Sequence, residues 1–186
     1  MYFASKFNLN QNLLKLKQAL KGLLIICIAI FSAVSAFAES NYKLQSVFIV
    51  RFAKYIEWPE NYKSGDFVIG VLGDDEAESA IKTTCAGKTV GNQKITIRKF
   101  NSVAEIGNCN ILYITFAKSS NFYAASSKLK SKSTLIITEK DGLAQKGSNI
   151  NLVVNQGKMN FEVNKIVNEK SGLKIPASIL SLATVY

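Results

Sequence analysis

Three short and almost uninterrupted apolar runs constrain the fold of this chain more than any other feature of its sequence. They cover residues 66–73, 110–115 and 134–138, and each contains several β-branched side chains. Runs of this kind predict strands that are buried on both faces, as in a parallel sheet. Helical patterns lie between them, and a hairpin is predicted over residues 149–163. The order predicts an α/β three-layer sandwich with a mainly parallel central sheet and a C-terminal antiparallel hairpin.

The first 38 residues have the composition of a secretory signal peptide. Residues 1–21 contain four lysines and no acidic residue, and the uncharged segment 22–38 ends in Ala36-Phe-Ala38. A basic start, a short apolar stretch and small residues at the end predict cleavage after Ala38, which leaves residues 39–186 as one exported domain. The alternative is an uncleaved anchor, but the uncharged segment only reaches the lower limit of about 17 residues for a spanning helix.

Charge and residue types limit the chemistry that the chain can perform. The formal net charge is +10, and four of the positive charges belong to the predicted signal peptide. The remaining excess suits a protein that works near anionic surfaces. The chain has no histidine, which removes the usual general base and the commonest zinc ligand. We therefore predict that the protein is not an enzyme, and we assign no catalytic residue, metal, cofactor or nucleic-acid partner.

An acidic cluster follows the first buried run. Asp74, Asp75, Glu76 and Glu78 stand at the predicted start of a helix. The simplest interpretation is that one aspartate caps this helix and that the other carboxylates interact with its dipole. A metal-binding or catalytic role for the cluster is the alternative, which the residues alone leave open.

Two cysteines remain after the predicted cleavage. An even number in an exported chain predicts a disulfide between Cys85 and Cys109. A bond that closes a loop of this size would stabilise the fold by about 3 kcal/mol in the loop-entropy model. The bond could be a structural staple or a redox-sensitive link, and the sequence does not distinguish the two.

An aromatic segment lies just after the predicted cleavage site. Phe48 and Phe52 recur at helical spacing, which predicts a helix over residues 41–58 with Trp58 at its end before Pro59. The apolar stripe is typical of a core helix. A second interpretation is that the segment also recognises a partner, because tryptophan is enriched at the centres of interfaces.

Several motifs together resemble the YfiR-like family of periplasmic proteins. They are the Phe-x-Val-x-Phe-Ala-Lys-Tyr-Ile-Glu-Trp-Pro segment at 48–59, the stretch Gly142–Val153, the Phe-Glu-Val-Asn motif at 161–164 and the segment 171–183. They occur in the family's order, and the resemblance covers nearly all of residues 39–186. It departs from the family at Arg51, where a smaller polar residue is expected, and in having a single cysteine pair.

The resemblance implies a regulatory function in the periplasm. The best-known member is a soluble repressor that holds an inner-membrane diguanylate cyclase inactive, and an outer-membrane lipoprotein can sequester it. We therefore expect an exported repressor whose partner is an inner-membrane sensor, either a diguanylate cyclase that controls cyclic di-GMP or a histidine kinase. An outer-membrane lipoprotein and a second copy of the chain are further expected partners. The predicted contact surface consists of Arg51, Tyr55, Glu57, Trp58, Ile179 and Leu182.

A different class of function remains open beside this one. The carboxyl ends of parallel strands form a crevice that often holds ligands, here near residues 73–75 and Thr115-Phe116. A small-ligand sensor would use that crevice. The residues of the predicted contact surface could instead belong to the core. A core role is favoured for the neighbouring Phe52 because of its central position on the apolar stripe.

Overall fold

Eight strands form a single sheet in the computed structural model, which describes residues 42–155 and 157–186. The strands are β1 (Phe67–Leu72), β2 (Thr89–Val90), β3 (Gln93–Phe100), β4 (Ile111–Ile114), β5 (Leu135–Thr138), β6 (Ile150–Asn155), β7 (Lys158–Val163) and β8 (Thr184–Val185). The predicted signal peptide and its cleavage site lie outside the described residues.

Five α-helices accompany the sheet in the described part of the chain. They are α1 (42–55), α2 (Asp75–Cys85), α3 (Phe122–Leu129), α4 (Lys165–Lys170) and α5 (Ala177–Leu180), with 3-10 turns at Glu60–Tyr62, Val103–Glu105 and Phe116–Asn121. Among these residues no helix combines the length and the apolar character that a membrane crossing requires.

The strand order is β2-β3-β1-β4-β5-β6-β7-β8. The five strands β3, β1, β4, β5 and β6 pair in parallel, and β6 and β7 form an antiparallel hairpin. The short strands β2 and β8 pair with β3 and β7 at the two ends of the sheet. The predicted class, a mainly parallel α/β sandwich with a C-terminal antiparallel hairpin, is confirmed.

The sheet has a separate apolar core on each face. Residues of α1, α2 and α5 pack on one side, which we call the α1 face, together with Phe67, Ile69 and Val71 of β1. The other side, the α3 face, receives α3 together with Val68 and Leu72. The side chains of a strand alternate between the two faces, so a strand between two helical layers is buried along its whole length. This explains the uninterrupted apolar runs of the sequence.

The end of the first helix differs from the prediction. Helix α1 stops at residue 55 rather than 58, because Glu57 leaves the helix and pairs with Lys174. The Glu57 N–H donates to the carbonyl of Lys174 and the Lys174 N–H donates to that of Glu57, both at 3.1 Å. The last helix, α5, ends at Leu180, and residues 181–183 lie between it and β8.

The predicted disulfide between Cys85 and Cys109 is not formed in this structure, where both residues are free, buried thiols. Cys85 ends α2 and belongs to the core of the α1 face. Cys109 belongs to the core of the α3 face, beside Gly70. The sheet therefore separates the two thiols, and a disulfide requires side chains that point toward each other. An even number of cysteines in a sequence does not show on which face of the sheet each cysteine lies.

Candidate functional site

A polar cluster occupies the carboxyl edge of the sheet between β1 and β4. The chain leaves β1 through α2 toward β3 and leaves β4 through α3 toward β5, so the two connections run in opposite directions and over opposite faces. Such a switch point is the usual ligand-binding position of an open α/β sheet. Gly73, Thr115 and Glu139 follow the ends of β1, β4 and β5 here. We call these residues, together with Tyr42 and Gln45 of α1, the carboxyl-edge cluster.

The first turns of α1 lie over the carboxyl-edge cluster and are hydrogen bonded to it. The Tyr42 hydroxyl donates to Oδ2 of Asp74 at 2.8 Å. Burial, followed by this hydrogen bond, raises the pKa of Tyr42. One turn later, Oε1 of Gln45 accepts from the hydroxyl of Tyr113 on β4 at 2.9 Å, and all of this contact is buried. These two bonds fix the beginning of α1 to the strand ends.

Glu139 is the unusual ionisable group of the cluster. Its Oε2 accepts from the backbone N–H of Phe116 at 3.1 Å. Burial raises the pKa of Glu139 to about 7, and the charge of Asp74 adds to this rise, whereas the Phe116 N–H and the nearby Gln45 oppose it. A carboxyl with a pKa near 7 changes its charge in the neutral range, so the cluster can respond to a proton or to a cationic ligand.

Two oxygen atoms of the cluster have no hydrogen-bond partner although they are buried. They are Oγ1 of Thr115, a fully buried residue, and Oε1 of Glu139. A buried polar atom without a partner costs about 1–3 kcal/mol, and such atoms point to a missing water, ion or ligand. The Thr115 side chain also packs on Gly73, where a Cβ would lie 2.4 Å from Cγ2 of Thr115. The crevice is thus partly filled by Thr115.

The acidic residues beside the cluster have structural roles. Oδ1 of Asp74 accepts from the N–H of Ala77 at 2.8 Å and caps α2, as the sequence suggested. Asp75 forms an ion pair with Lys99, and this hydrogen bond lowers the pKa of Asp75. Among the described residues, no three side chains of the types that bind metals come together in a metal-binding arrangement.

The six residues of the predicted contact surface divide into an exposed and a buried group. Arg51, Tyr55, Glu57 and Leu182 are exposed, with Tyr55 at 59% and Leu182 at 69%. Trp58 and Ile179 are buried in the core of the α1 face. Trp58 packs edge-to-face on Phe67 with ring centroids 5.0 Å apart. Only the first group is placed to contact a partner directly.

Two further exposed residues extend this surface along α1. Leu44 and Val47 are 44% and 38% exposed. With Arg51 and Tyr55 they follow a spacing of three or four residues, which places them on one side of the helix. We call Leu44, Val47, Arg51 and Tyr55 the outer stripe. The helical spacing of these residues is visible in the sequence. It does not identify the exposed side of the helix, because apolar residues occur on both sides of α1.

The opposite side of α1 is packed on the sheet. The Phe52 ring lies 5.2 Å from that of Phe161 on β7, and the Phe48 ring lies 5.8 Å from it. Phe52 is fully buried, in agreement with the core role favoured for it. The outer stripe and the aromatic inner side therefore belong to the same helix.

The fold and the carboxyl-edge cluster define a three-layer α/β domain whose first helix joins the edge of the sheet to an exposed surface. Residues 42–184 match the model of a protein family described as YfiR/HmsC-like. The chain belongs to this family, as its motifs predicted. Its members are periplasmic regulatory proteins without a catalytic role.

Comparisons with individual proteins give weaker similarities. No curated protein matches the chain. Among solved structures, it is similar to an ABC domain from Streptococcus pneumonia in complex with L-Trp, with 14% identity, a TM-score of 0.47 and 63% of this chain covered. It is also similar to a conserved domain protein from Vibrio cholerae, with 14% identity, a TM-score of 0.46 and 64% of this chain covered. The matched region spans 54% of each of these structures.

Proposed function

We propose that this protein is an exported repressor that binds the periplasmic sensory domain of an inner-membrane signalling enzyme, such as a diguanylate cyclase. Family membership supports a periplasmic regulator in general. The observation that carries the finer proposal is the outer stripe, which leaves two apolar side chains, a tyrosine and an arginine exposed on one rigid helix. Tyrosine and arginine are among the residues that contribute most to binding at protein interfaces.

The Glu57–Lys174 pairing joins the end of α1 to the C-terminal segment. Exposed Leu182 lies in that segment. A partner that contacts both parts would bind a surface held together by hydrogen bonds within one domain. Such a preformed surface loses little conformational freedom on binding.

Repression would follow from a difference in affinity. A repressor shifts its target toward the inactive conformation only to the extent that it binds that conformation more tightly. An outer-membrane lipoprotein that competes for the outer stripe would release the target and raise cyclic di-GMP. Pairing of two copies would double the number of target sites on one particle.

The test is recovery of a partner from detergent-solubilised inner membranes by the purified exported protein. We expect a diguanylate cyclase or a histidine kinase with a periplasmic domain to be recovered. Tyr55→Ala should weaken the measured affinity about tenfold, which is the usual effect of removing a central aromatic. Tyr123→Ala is the matched control, since Tyr123 on α3 is also 59% exposed. Equal weakening by both substitutions, or recovery of neither enzyme class, would overturn the proposal.

A small-ligand sensor is the second candidate, and the two unpartnered oxygens of the carboxyl-edge cluster favour it. With Asp74 nearby, the cluster suits a ligand that carries an amino group. Thermal unfolding of the protein should then shift upward with millimolar free amino acids or simple amines. Thr115→Val should abolish that shift and keep the fold, because valine has the same shape as threonine. A shift that survives in Thr115→Val would exclude this position.

A further inference from the structure

Strand β3 has a long side that no strand covers in the described part of the chain. On its inner side, Ile95–Phe100 pair in parallel with β1. On its outer side, the two residues of β2 pair only with Gln93 and Lys94. The stretch Ile95–Phe100 therefore forms an open sheet edge, which we call the β3 edge. An uncovered edge presents backbone donors and acceptors to any extended segment that approaches it.

The hairpin between β2 and β3 decides which residues present those groups. Val90 faces Gln93 across a two-residue turn, and the residues that flank such a turn exchange both of their backbone hydrogen bonds. Backbone groups point to alternate sides along a strand, so Ile95, Ile97 and Lys99 turn their N–H and C=O groups outward. An added strand would continue the line that β2 begins.

A groove of about 390 Å³ runs beside the β3 edge, below the end of α2. Its apolar floor includes Ile95 and Ile97, and the lysines around it are Lys82, Lys88 and Lys94. No acidic residue lines it, although the Lys82 ammonium forms an ion pair with Glu78 at 2.9 Å. A narrow apolar floor between cations matches an extended segment in which apolar and acidic side chains alternate.

We propose that the β3 edge binds an extended acidic segment of a partner protein as an additional strand of the sheet. The segment pairs its backbone with Ile95, Ile97 and Lys99 and places small apolar side chains on the floor of the groove. Its alternate, acidic side chains point to the other face of the strand, where Lys94 and Arg98 lie. A second copy of the chain fits less well, because antiparallel edge-to-edge pairing centred on Thr96 would set Lys94 of one copy opposite Arg98 of the other, and like charges across a strand pair destabilise it. This surface is distinct from the outer stripe of α1.

The test uses a synthetic peptide of alternating glutamate and valine, with an alternating lysine and valine peptide as its control. Isotope-labelled protein purified after export is titrated and followed by NMR. We expect the acidic peptide to shift the amide signals of Ile95, Ile97 and Lys99, and the basic peptide to leave them unchanged. The affinity should decrease as salt is raised, because exposed charges contribute to it. Absence of binding by the acidic peptide, or shifts confined to other strands, would overturn the proposal.

Two substitutions separate the backbone and charge contributions. Ile97→Pro removes one outward N–H and leaves the pairing with β1, so binding should be lost while the thermal transition is kept. Lys94→Glu should weaken binding about fivefold to tenfold as a charge reversal at the rim. Lys130→Glu, an equal charge change on an exposed residue beyond α3, should have no effect. Equal weakening of binding by Lys94→Glu and Lys130→Glu would contradict an acidic partner. A dimer of this protein that is abolished by Ile97→Pro would also contradict it. If Ile97→Pro fails to fold, the result for Lys94→Glu decides.

Discussion

The two sides of α1 use similar residue types for different purposes. The inner side places Gln45, Phe48 and Phe52 against the sheet, where each contacts a named partner within the chain. The outer stripe carries residues of comparable size that have no such packing and remain exposed. The comparison shows that apolar periodicity identifies a helix but does not say which of its sides faces the core.

The largest expected contrast between the two sides is in stability. Phe52→Ala should lower the free energy of unfolding by about 3–5 kcal/mol, because it leaves a cavity between α1 and Phe161. Tyr55→Ala, on the outer stripe, should change it by no more than about 0.5 kcal/mol. Urea denaturation monitored by circular dichroism measures both values. Similar losses in the two variants would show that the outer stripe is packed against something in the folded protein.

A smaller effect is expected from the buried hydrogen bond between α1 and β4. Gln45→Leu removes the acceptor of the Tyr113 hydroxyl and should cost about 1–3 kcal/mol, because that hydroxyl is then buried without a partner. Tyr113→Phe in the same chain should restore part of the loss. The double-mutant cycle isolates the interaction. Additive effects would mean that the bond does not contribute to holding α1 in place.

Glu139 should make the stability of the folded protein depend on pH. Its folded-state pKa of about 7 lies above the ordinary value of 4.5, so the folded protein binds this proton more tightly than the unfolded chain does. Its contribution to stability is therefore complete below pH 4.5 and decreases as the pH rises toward 7 and beyond. Glu139→Gln should remove that decrease, an effect of about 3 kcal/mol.

The matched control for this pH effect lies on the exposed side of the chain. Glu57→Gln makes the same change of charge at an exposed carboxyl outside the carboxyl-edge cluster. Unfolding free energies measured between pH 4 and 8 for the three proteins make the comparison. A wild-type profile that runs parallel to that of Glu139→Gln would contradict a raised pKa.

A reducing agent should not change the stability of the folded protein. Both cysteines are free thiols, so dithiothreitol should not change the melting temperature, and the intact mass should match two unbonded cysteines. Burial raises the pKa of Cys85 to about 11 and that of Cys109 to about 12, so alkylation of the folded protein should be slow. A melting temperature that decreases on reduction would restore the disulfide predicted from the sequence.

Much of the fold follows from local sequence signals. The apolar runs predicted β1, β4 and β5 within about one residue at each end, because strands covered on both faces consist mostly of apolar residues. One aspartate of the acidic cluster was predicted to cap α2, and Asp74 accepts the expected backbone hydrogen bond from Ala77. These features depend on residues that are close together in the chain.

The rest depends on contacts between distant segments. The early end of α1 results from the pairing of Glu57 with Lys174, and β8 exists only because β7 is beside it. The sequence did indicate a crevice near Asp74 and Thr115. It gave no sign that Tyr42 and Glu139 would lie at the same edge, because only the strand order brings them there.

The packing of α1 on Phe161 also sets an order in time. The phenylalanines on the inner side of this helix are synthesised early. Strand β7, which carries the Phe161 ring that they pack on, lies near the other end of the chain. A contact between segments so far apart forms late and slowly, because the intervening chain must be ordered first. A chain that crosses a membrane from its N-terminus would thus expose the phenylalanines of α1 until the last hairpin arrives. In that interval a chaperone for unfolded exported chains would bind the inner side of α1, whereas in the folded protein this helix presents the outer stripe.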